Sequence, residues 1–384
     1  MKASKNVQIC CILLTYFCAG RTVCGQERFG RGISVAAGSG TYLDNVLAQP
    51  QTLREAAAAY AGEEFGQALD KAASLLSGGA LTSTGMGASF FALEATRRSL
   101  DAVVRLHWIE ETGFLAERAG ALHRPLDCLL LVSQSGETVE GRQLLPQLGG
   151  VPSVLVTRDP ASSLAGAADV VLPLHSPPDR SVAIQTYVTS LAVLELLALR
   201  IAGRDTAAFL DALRACADSA ERLLARLPSE LAVITGPLLR ASQIYALGRG
   251  NSVGSALGTA LLFKEAAKRD CEASSAAQFR HGAVEVVAGN TAVIVYGSAE
   301  PEQQLLDYRL VSELVSYQAS VLVVCDEDFP DVTGASLLRL PPGPAETRAI
   351  LEIIPAQLIA HALAESNGVT AGDFRNTVPV IVSA

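Results

Sequence analysis

The chain has 384 residues, 49% of them hydrophobic and 18% charged, with a formal net charge of −9. This length points to two domains, and the composition excludes disorder, collagen and coiled coil. The negative charge argues against a nucleic-acid backbone binder, which needs a basic footprint, and eight cysteines in this length are no disulfide scaffold.

Residues 1–40 stand apart. They hold Lys2, Lys5, Arg21, Arg28 and Arg31 against Glu27, a net of +4 that leaves −13 for residues 41–384. Two lysines before a short apolar stretch, with Cys18-Ala19-Gly20 after it, resemble a weak secretory signal over 1–24. An organelle leader and a non-core extension are the other readings. The extension is preferred, which makes a cytoplasmic location the expectation. The apolar run Val7–Phe17 is too short to cross a bilayer, so no membrane partner is expected.

From Thr41 the pattern becomes regular. Leu53–Leu76 reads as a helix, Ala80–Ser83 as a strand, Gly85-Met86-Gly87 as a tight turn and Ser89–Leu100 as a helix. Cys128–Val132, Val154–Val156 and Val170–Leu172 are short apolar runs of the kind that form buried parallel strands. Thr206–Leu227 reads as a joining helix stopped by Pro228, and Thr347–Glu365 as a final helix kinked at Pro355.

The second half repeats the first. Gly85 maps onto Gly248, and Leu129–Leu131 onto Ala292–Ile294, at an offset of 163. Val154–Val156 maps onto Val321–Val323, and Val170-Val171 onto Leu337-Leu338, at 167. The chain is therefore two copies of one α/β unit, each a parallel sheet with helices on both faces.

Ligands of open parallel sheets bind beyond the carboxyl ends of the strands. That rule selects Ser133-Gln134-Ser135-Gly136-Glu137-Thr138, which packs three hydroxyls and an amide just before a helix. Such a loop suits a phosphate monoester, although serine and threonine also favour plain capping turns. The matching loop, Tyr296-Gly297-Ser298-Ala299-Glu300, has lost most of the hydroxyls, so one site per chain is expected. Neither Gly85-Met86-Gly87 nor Gly248-Arg249-Gly250 continues into a dinucleotide fingerprint, and no cofactor is expected. Cys128, Cys216, Cys271 and Cys325 are scattered, and with the five histidines they show no metal-ligand spacing. Cys128 and Cys325 read as buried reduced thiols.

The hexapeptide 133–138 resembles the phosphate loop of sugar isomerase (SIS) domains, particularly those of the isomerase half of glutamine–fructose-6-phosphate aminotransferase and of SIS-type glucosamine-6-phosphate deaminases. Phe263-Lys264-Glu265 with Gln278-Phe279-Arg280-His281-Gly282 resembles a second motif pair of that family. The resemblance implies two tandem SIS domains, each a flavodoxin-like doubly wound sheet flanked by helices. They are expected at 41–205 and 231–384, with a connecting helix at 206–230. It further implies aldose–ketose chemistry on an amino-sugar 6-phosphate. Glu265 would be the base between C1 and C2, and His281 would assist ring opening from the neighbouring subunit of a homodimer. Ser133, Gln134, Ser135 and Thr138 would hold the phosphate, with Ser89 and Val182 near the sugar. Without the resemblance, Glu265 reads as a solvated helix carboxylate and His281 as a loop imidazole.

Three positions depart from the family. Pro379 stands where relatives carry a C-terminal lysine, Ile184 replaces a hydroxyl residue, and Leu262 replaces another lysine. Forty residues ahead of the repeats are too few for a glutaminase domain, so no glutamine-derived nitrogen is expected within this chain. A non-catalytic sugar-phosphate-binding protein is the alternative expectation.

Overall fold

The computed structural model describes residues 40–119 and 126–376. The leader over 1–39 and the Pro379 position lie outside the described residues.

Two helices open the fold, α1 (Tyr42–Tyr60) and α2 (Glu63–Leu76). Thr41 begins α1 with a reciprocal capping box to Asp44. The helix expected over 53–76 is thus interrupted at Ala61-Gly62, where Gly62 starts a new first turn. The first sheet contains β1 (Leu81–Gly85), β2 (Leu106–Glu111), β3 (Cys128–Val132), β4 (Ser153–Thr157) and β5 (Val170–Pro173). Between these strands lie α3 (Ala88–Ala95), α4 (Arg97–Asp101), α5 (Thr112–Arg118) and α6 (Val139–Gln147). The helix expected over 89–100 is divided at Thr96, whose hydroxyl bonds back to the Ala92 and Leu93 carbonyls.

After α7 (Gln185–Ile201), α8 runs from Ala207 to Arg240. Pro228 does not stop it. Leu213, Ala217, Leu224, Leu227 and Leu231 form a buried stripe on both sides of the proline, and that burial outweighs one lost backbone hydrogen bond. The second sheet holds β6 (Gln243–Gly248), β7 (Glu272–Ser275), β8 (Thr291–Tyr296), β9 (Ser320–Cys325) and β10 (Ala335–Arg339). Its helices are α9 (Ser252–Ala267), α10 (Ala276–Phe279), α11 (Pro301–Ser316) and α12 (Ala345–Ser366), the last continuing through Pro355.

Strand order is β2-β1-β3-β4-β5 in one sheet and β7-β6-β8-β9-β10 in the other, all parallel. The two orders are the same, which confirms the repeat and its doubly wound topology. Period-two alternation divides each apolar run between two cores. Cys128, Leu130 and Val132 join the central core, whereas Leu129 and Leu131 join an outer one under α5 and α6. Ala292, Ile294 and Tyr296 face the same central core, and Val293 and Val295 face a third cluster under α11. The central core also takes in α1, α7, α8, α9 and α12, so the repeats share one interior. By length and composition α12 resembles a membrane span, but its most apolar stretch is 78% buried in this core. Cys128, Cys216, Cys271 and Cys325 are buried free thiols, and burial pushes the Cys128 thiol up to about 11.

Candidate active site

The β1–β3 pairing aligns Leu81 with Cys128 and Gly85 with Val132. Both strands therefore end at one level, and their following loops lie side by side at the switch point of the sheet. Gly85 makes the first turn possible, since a Cβ there would stand 2.9 Å from the Phe90 nitrogen. The second turn depends on Gly136, with φ +65° and room for no Cβ, which would fall 1.9 Å from Ser162 Oγ.

The 133–138 loop is held from within. Ser133 Oγ accepts from Gly136 N at 3.2 Å, Ser135 Oγ accepts from Glu137 N at 3.1 Å, and Gln134 O accepts from Arg158 N at 3.1 Å. Glu137 turns outward and accepts from the backbone and hydroxyl of Ser163, both at 2.7 Å, which lowers its pKa. Thr138 is the N-cap of α6, and its side chain makes no capping bond.

These loops border a cavity of about 280 Å³. Ser89, Ser133, Gln134, Ser135, Thr138 and Glu265 all line it. Among the described residues no lysine or arginine lines it, and Glu140 and Asp179 line it along with Glu265, so an anion would be held at the 133–138 end by hydroxyls, an amide and a helix N-terminus. Val182 lies just behind, in a small apolar annex that also touches Glu265 and Tyr187. The Tyr187 hydroxyl is buried without a hydrogen-bond partner.

Glu265 reaches the cavity from the last turn of α9. Burial pushes its carboxyl up to about 7, and Lys268 opposes the rise. A carboxyl titrating near neutrality is suited to taking and returning a proton. His281 is not brought there. It is exposed on the turn after α10 and lines neither the cavity nor the annex.

Sequence reasoning missed Asp179. Its carboxylate accepts from the Ile184, Gln185 and Thr186 amides at 2.9–3.0 Å and from Thr186 Oγ1 at 2.5 Å, capping α7 from a loop beside the cavity. Ile184, the N-cap residue, is fully buried and makes no side-chain cap. The α7 cap is therefore made by the Asp179 carboxylate and not by the residue at 184. Pro178-Asp179 ahead of an apolar run is a helix-start signal that pointed to it. Phe374, from the segment after α12, is a second cavity residue that sequence reasoning passed over.

The corresponding crevice of the second repeat has about 260 Å³ but different chemistry. Arg249 pairs with buried Asp307 at 2.5 Å, and Asp307 also accepts from Ser298 N at 2.9 Å. Arg348 pairs with Asp326 and with Glu352, the latter at 2.8 Å, and donates to Gly297 O at 2.6 Å. The loop groups that would meet a ligand are consumed by this internal network.

A doubly wound α/β protein with two repeats, and one hydroxyl-lined crevice holding a carboxyl of raised pKa, is the class that this geometry defines. The chain belongs to the SIS domain family, which matches residues 84–200 and 238–365, one match on each repeat. It is 28% identical over 367 residues to the isomerizing glutamine–fructose-6-phosphate aminotransferase of Streptococcus pyogenes serotype M1. That alignment covers 90% of this chain and 59% of the relative, so the chain spans under two thirds of the relative's length. Among solved structures it is similar to the C-terminal domain of glucosamine-fructose-6-phosphate aminotransferase from Francisella tularensis. There the TM-score is 0.78 at 18% identity, covering 88% of this chain and 99% of that one. Tagatose-6-phosphate ketose/aldose isomerase from Escherichia coli gives a TM-score of 0.72 at 22% identity, covering 91% of this chain and 98% of that one. These two likenesses are of fold.

Proposed function

We propose that this chain is an amino-sugar-phosphate isomerase or deaminase acting on a substrate of the glucosamine 6-phosphate or fructose 6-phosphate type. The observation that carries the reading is the meeting of the 133–138 loop and Glu265 in one cavity. The phosphate would be held by the hydroxyls of Ser133, Ser135 and Thr138, the Gln134 amide and the α6 N-terminus. Glu265 would then move a proton between C1 and C2 of the open-chain sugar. His281 would come from a second subunit, in keeping with its exposure on this chain.

The test is release of fructose 6-phosphate and ammonia from glucosamine 6-phosphate, with Glu265→Gln as the control. Turnover that the control lacks supports the proposal, and turnover equal to the control sinks it. The buried apolar Ile184 favours a second reading, a binding protein without turnover. Sugar-phosphate binding that vanishes in Ser133→Ala, with no product from any 6-phosphate tried, would establish that reading instead.

A further inference from the structure

Lys268 closes the C-terminal end of α9 in the left-handed conformation, with φ 53° and ψ 37°. Glycine is the ordinary occupant of that position, because a Cβ there crowds the following carbonyl. The backbone cap is complete without the side chain, since the amides of Lys268 and Arg269 both donate to Phe263 O. The side chain has a separate task. It folds back along the helix, and Nζ donates to the Glu265 carbonyl.

The next two carbonyls are taken by the segment after α12. Ala266 O accepts from Gly372 N at 3.3 Å, and Ala267 O accepts from the Asn367 amide at 2.9 Å. The same segment carries Phe374 into the cavity wall, with the Lys268 ammonium 5.8 Å from its ring centre. One ammonium therefore touches both the Glu265 turn and the segment beside it. Leu262 and Pro379, at positions where the family resemblance implies lysines, carry no charge.

We propose that Lys268 is a positioning residue for Glu265: it ties the Glu265 turn to the Phe374 wall and supplies the positive charge beside the carboxylate. The proposal rests on Glu265 as the proton-transferring group. Several of the other charged and titratable groups nearby have partners of their own. Lys264 lies 3.8 Å from Asp270, Asp179 caps α7, and Asp373 lies 3.6 Å from Arg180. Tyr42, across from Glu265 on α1, donates to Gln357 O at 3.0 Å. Glu140 also lines the cavity, and Arg375 and Asp373 act on Lys268 with opposite signs from the segment after α12. Burial raises Glu265 and Lys268 opposes it, so losing the ammonium moves the carboxyl's midpoint to higher pH.

The experiment is a carbon-13 NMR titration of the Glu265 carboxyl in the wild type, Lys268→Met, Lys268→Gly and Lys268→Arg, with Glu265→Gln fixing the assignment. The Met and Gly variants should shift the midpoint upward by at least about 0.3 pH unit, and the Arg variant should hold it. Lys268→Gly separates the roles, because glycine relieves the left-handed backbone and should preserve or raise the thermal midpoint. An unmoved Glu265 midpoint in Met and Gly, or an Arg variant that shifts as far as Met, overturns the proposal. The titration needs no substrate. Absence of turnover therefore counts against the sugar-phosphate reading alone, and an unmoved midpoint counts against Lys268 alone.

Discussion

Glu265 carries a cost in its ionised form. Its carboxyl is pushed up to about 7 from an ordinary value of 4.5, with burial the leading cause. The unfolded chain releases that proton at lower pH than the folded one, so stability is full below about pH 4.5, falls between there and pH 7, and is flat above. The shift corresponds to about 3 kcal/mol of lost stability at pH 8. Glu265→Gln removes the ionisation and keeps the shape. Urea unfolding should therefore find the variant more stable than wild type at pH 8, by up to about 3 kcal/mol, with the two converging near pH 4. The same substitution should cut turnover by about 10² to 10⁴ if Glu265 moves the proton. A Gln variant that loses stability at pH 8 would show that the buried carboxylate is compensated by contacts beyond Lys268. In wild type, kcat/KM should rise with pH through about 7, because the base must be ionised to act.

At the scale of elements, α7 shows how packing and site are joined. Asp179 caps it through three amides and one hydroxyl, and between that carboxylate and the helix run Ser181, Val182 and Ala183, which border the cavity or its annex. Asp179→Ala should cost about 2 kcal/mol, the upper end for a lost cap with charge-assisted bonds, while Asp179→Asn should cost less. Sugar-phosphate affinity should weaken in step with the cap, as isothermal titration would read. Unchanged affinity in a destabilised Ala variant would separate the loop from the site. The elements legible in the sequence were the runs of apolar residues, whether buried on both faces or, as in β5 and β10, only in part. The runs 128–132 and 154–156 are apolar throughout because helices cover both faces. The edge strands β2 and β7 were not legible, since Leu106–Glu111 and Glu272–Ser275 are half exposed and carry mixed polarity. Pro228 misled for a related reason: local chemistry says stop, and the stripe that carries α8 onward is visible only once its partners are in place. In the site, the hydroxyl loop was readable from composition, and Glu265 through a resemblance. Asp179 caps α7 from five to seven residues upstream, a longer reach than an ordinary N-cap, and the contact of Lys268 with Phe374 joins segments far apart in the chain, which no local pattern encodes.

The described residues form two sheets around one shared core, with the first repeat's crevice the one lined by the hydroxyl loop. The two repeats have the same strand order, yet the second has spent its loop groups on Arg249, Arg348 and their carboxylates. It serves the first by contributing α9, which delivers Glu265 across the shared core. By the same logic a second molecule would contribute what this one lacks. His281 is exposed, and the turn bearing it is anchored by Arg280, which pairs with Glu313 at 2.8 Å. If sites are completed across a twofold interface, each joins Glu265 of one subunit to His281 of the other. Two inactive proteins, Glu265→Gln and His281→Ala, should then rescue each other when co-expressed with different tags. In a heterodimer one of the two sites regains both residues, and random pairing makes half of the dimers mixed. The mixture should therefore recover about a quarter of wild-type activity, and the doubly tagged fraction about half. If His281 served its own chain, every site in every combination would lack one residue, and the mixture would stay as inactive as its components.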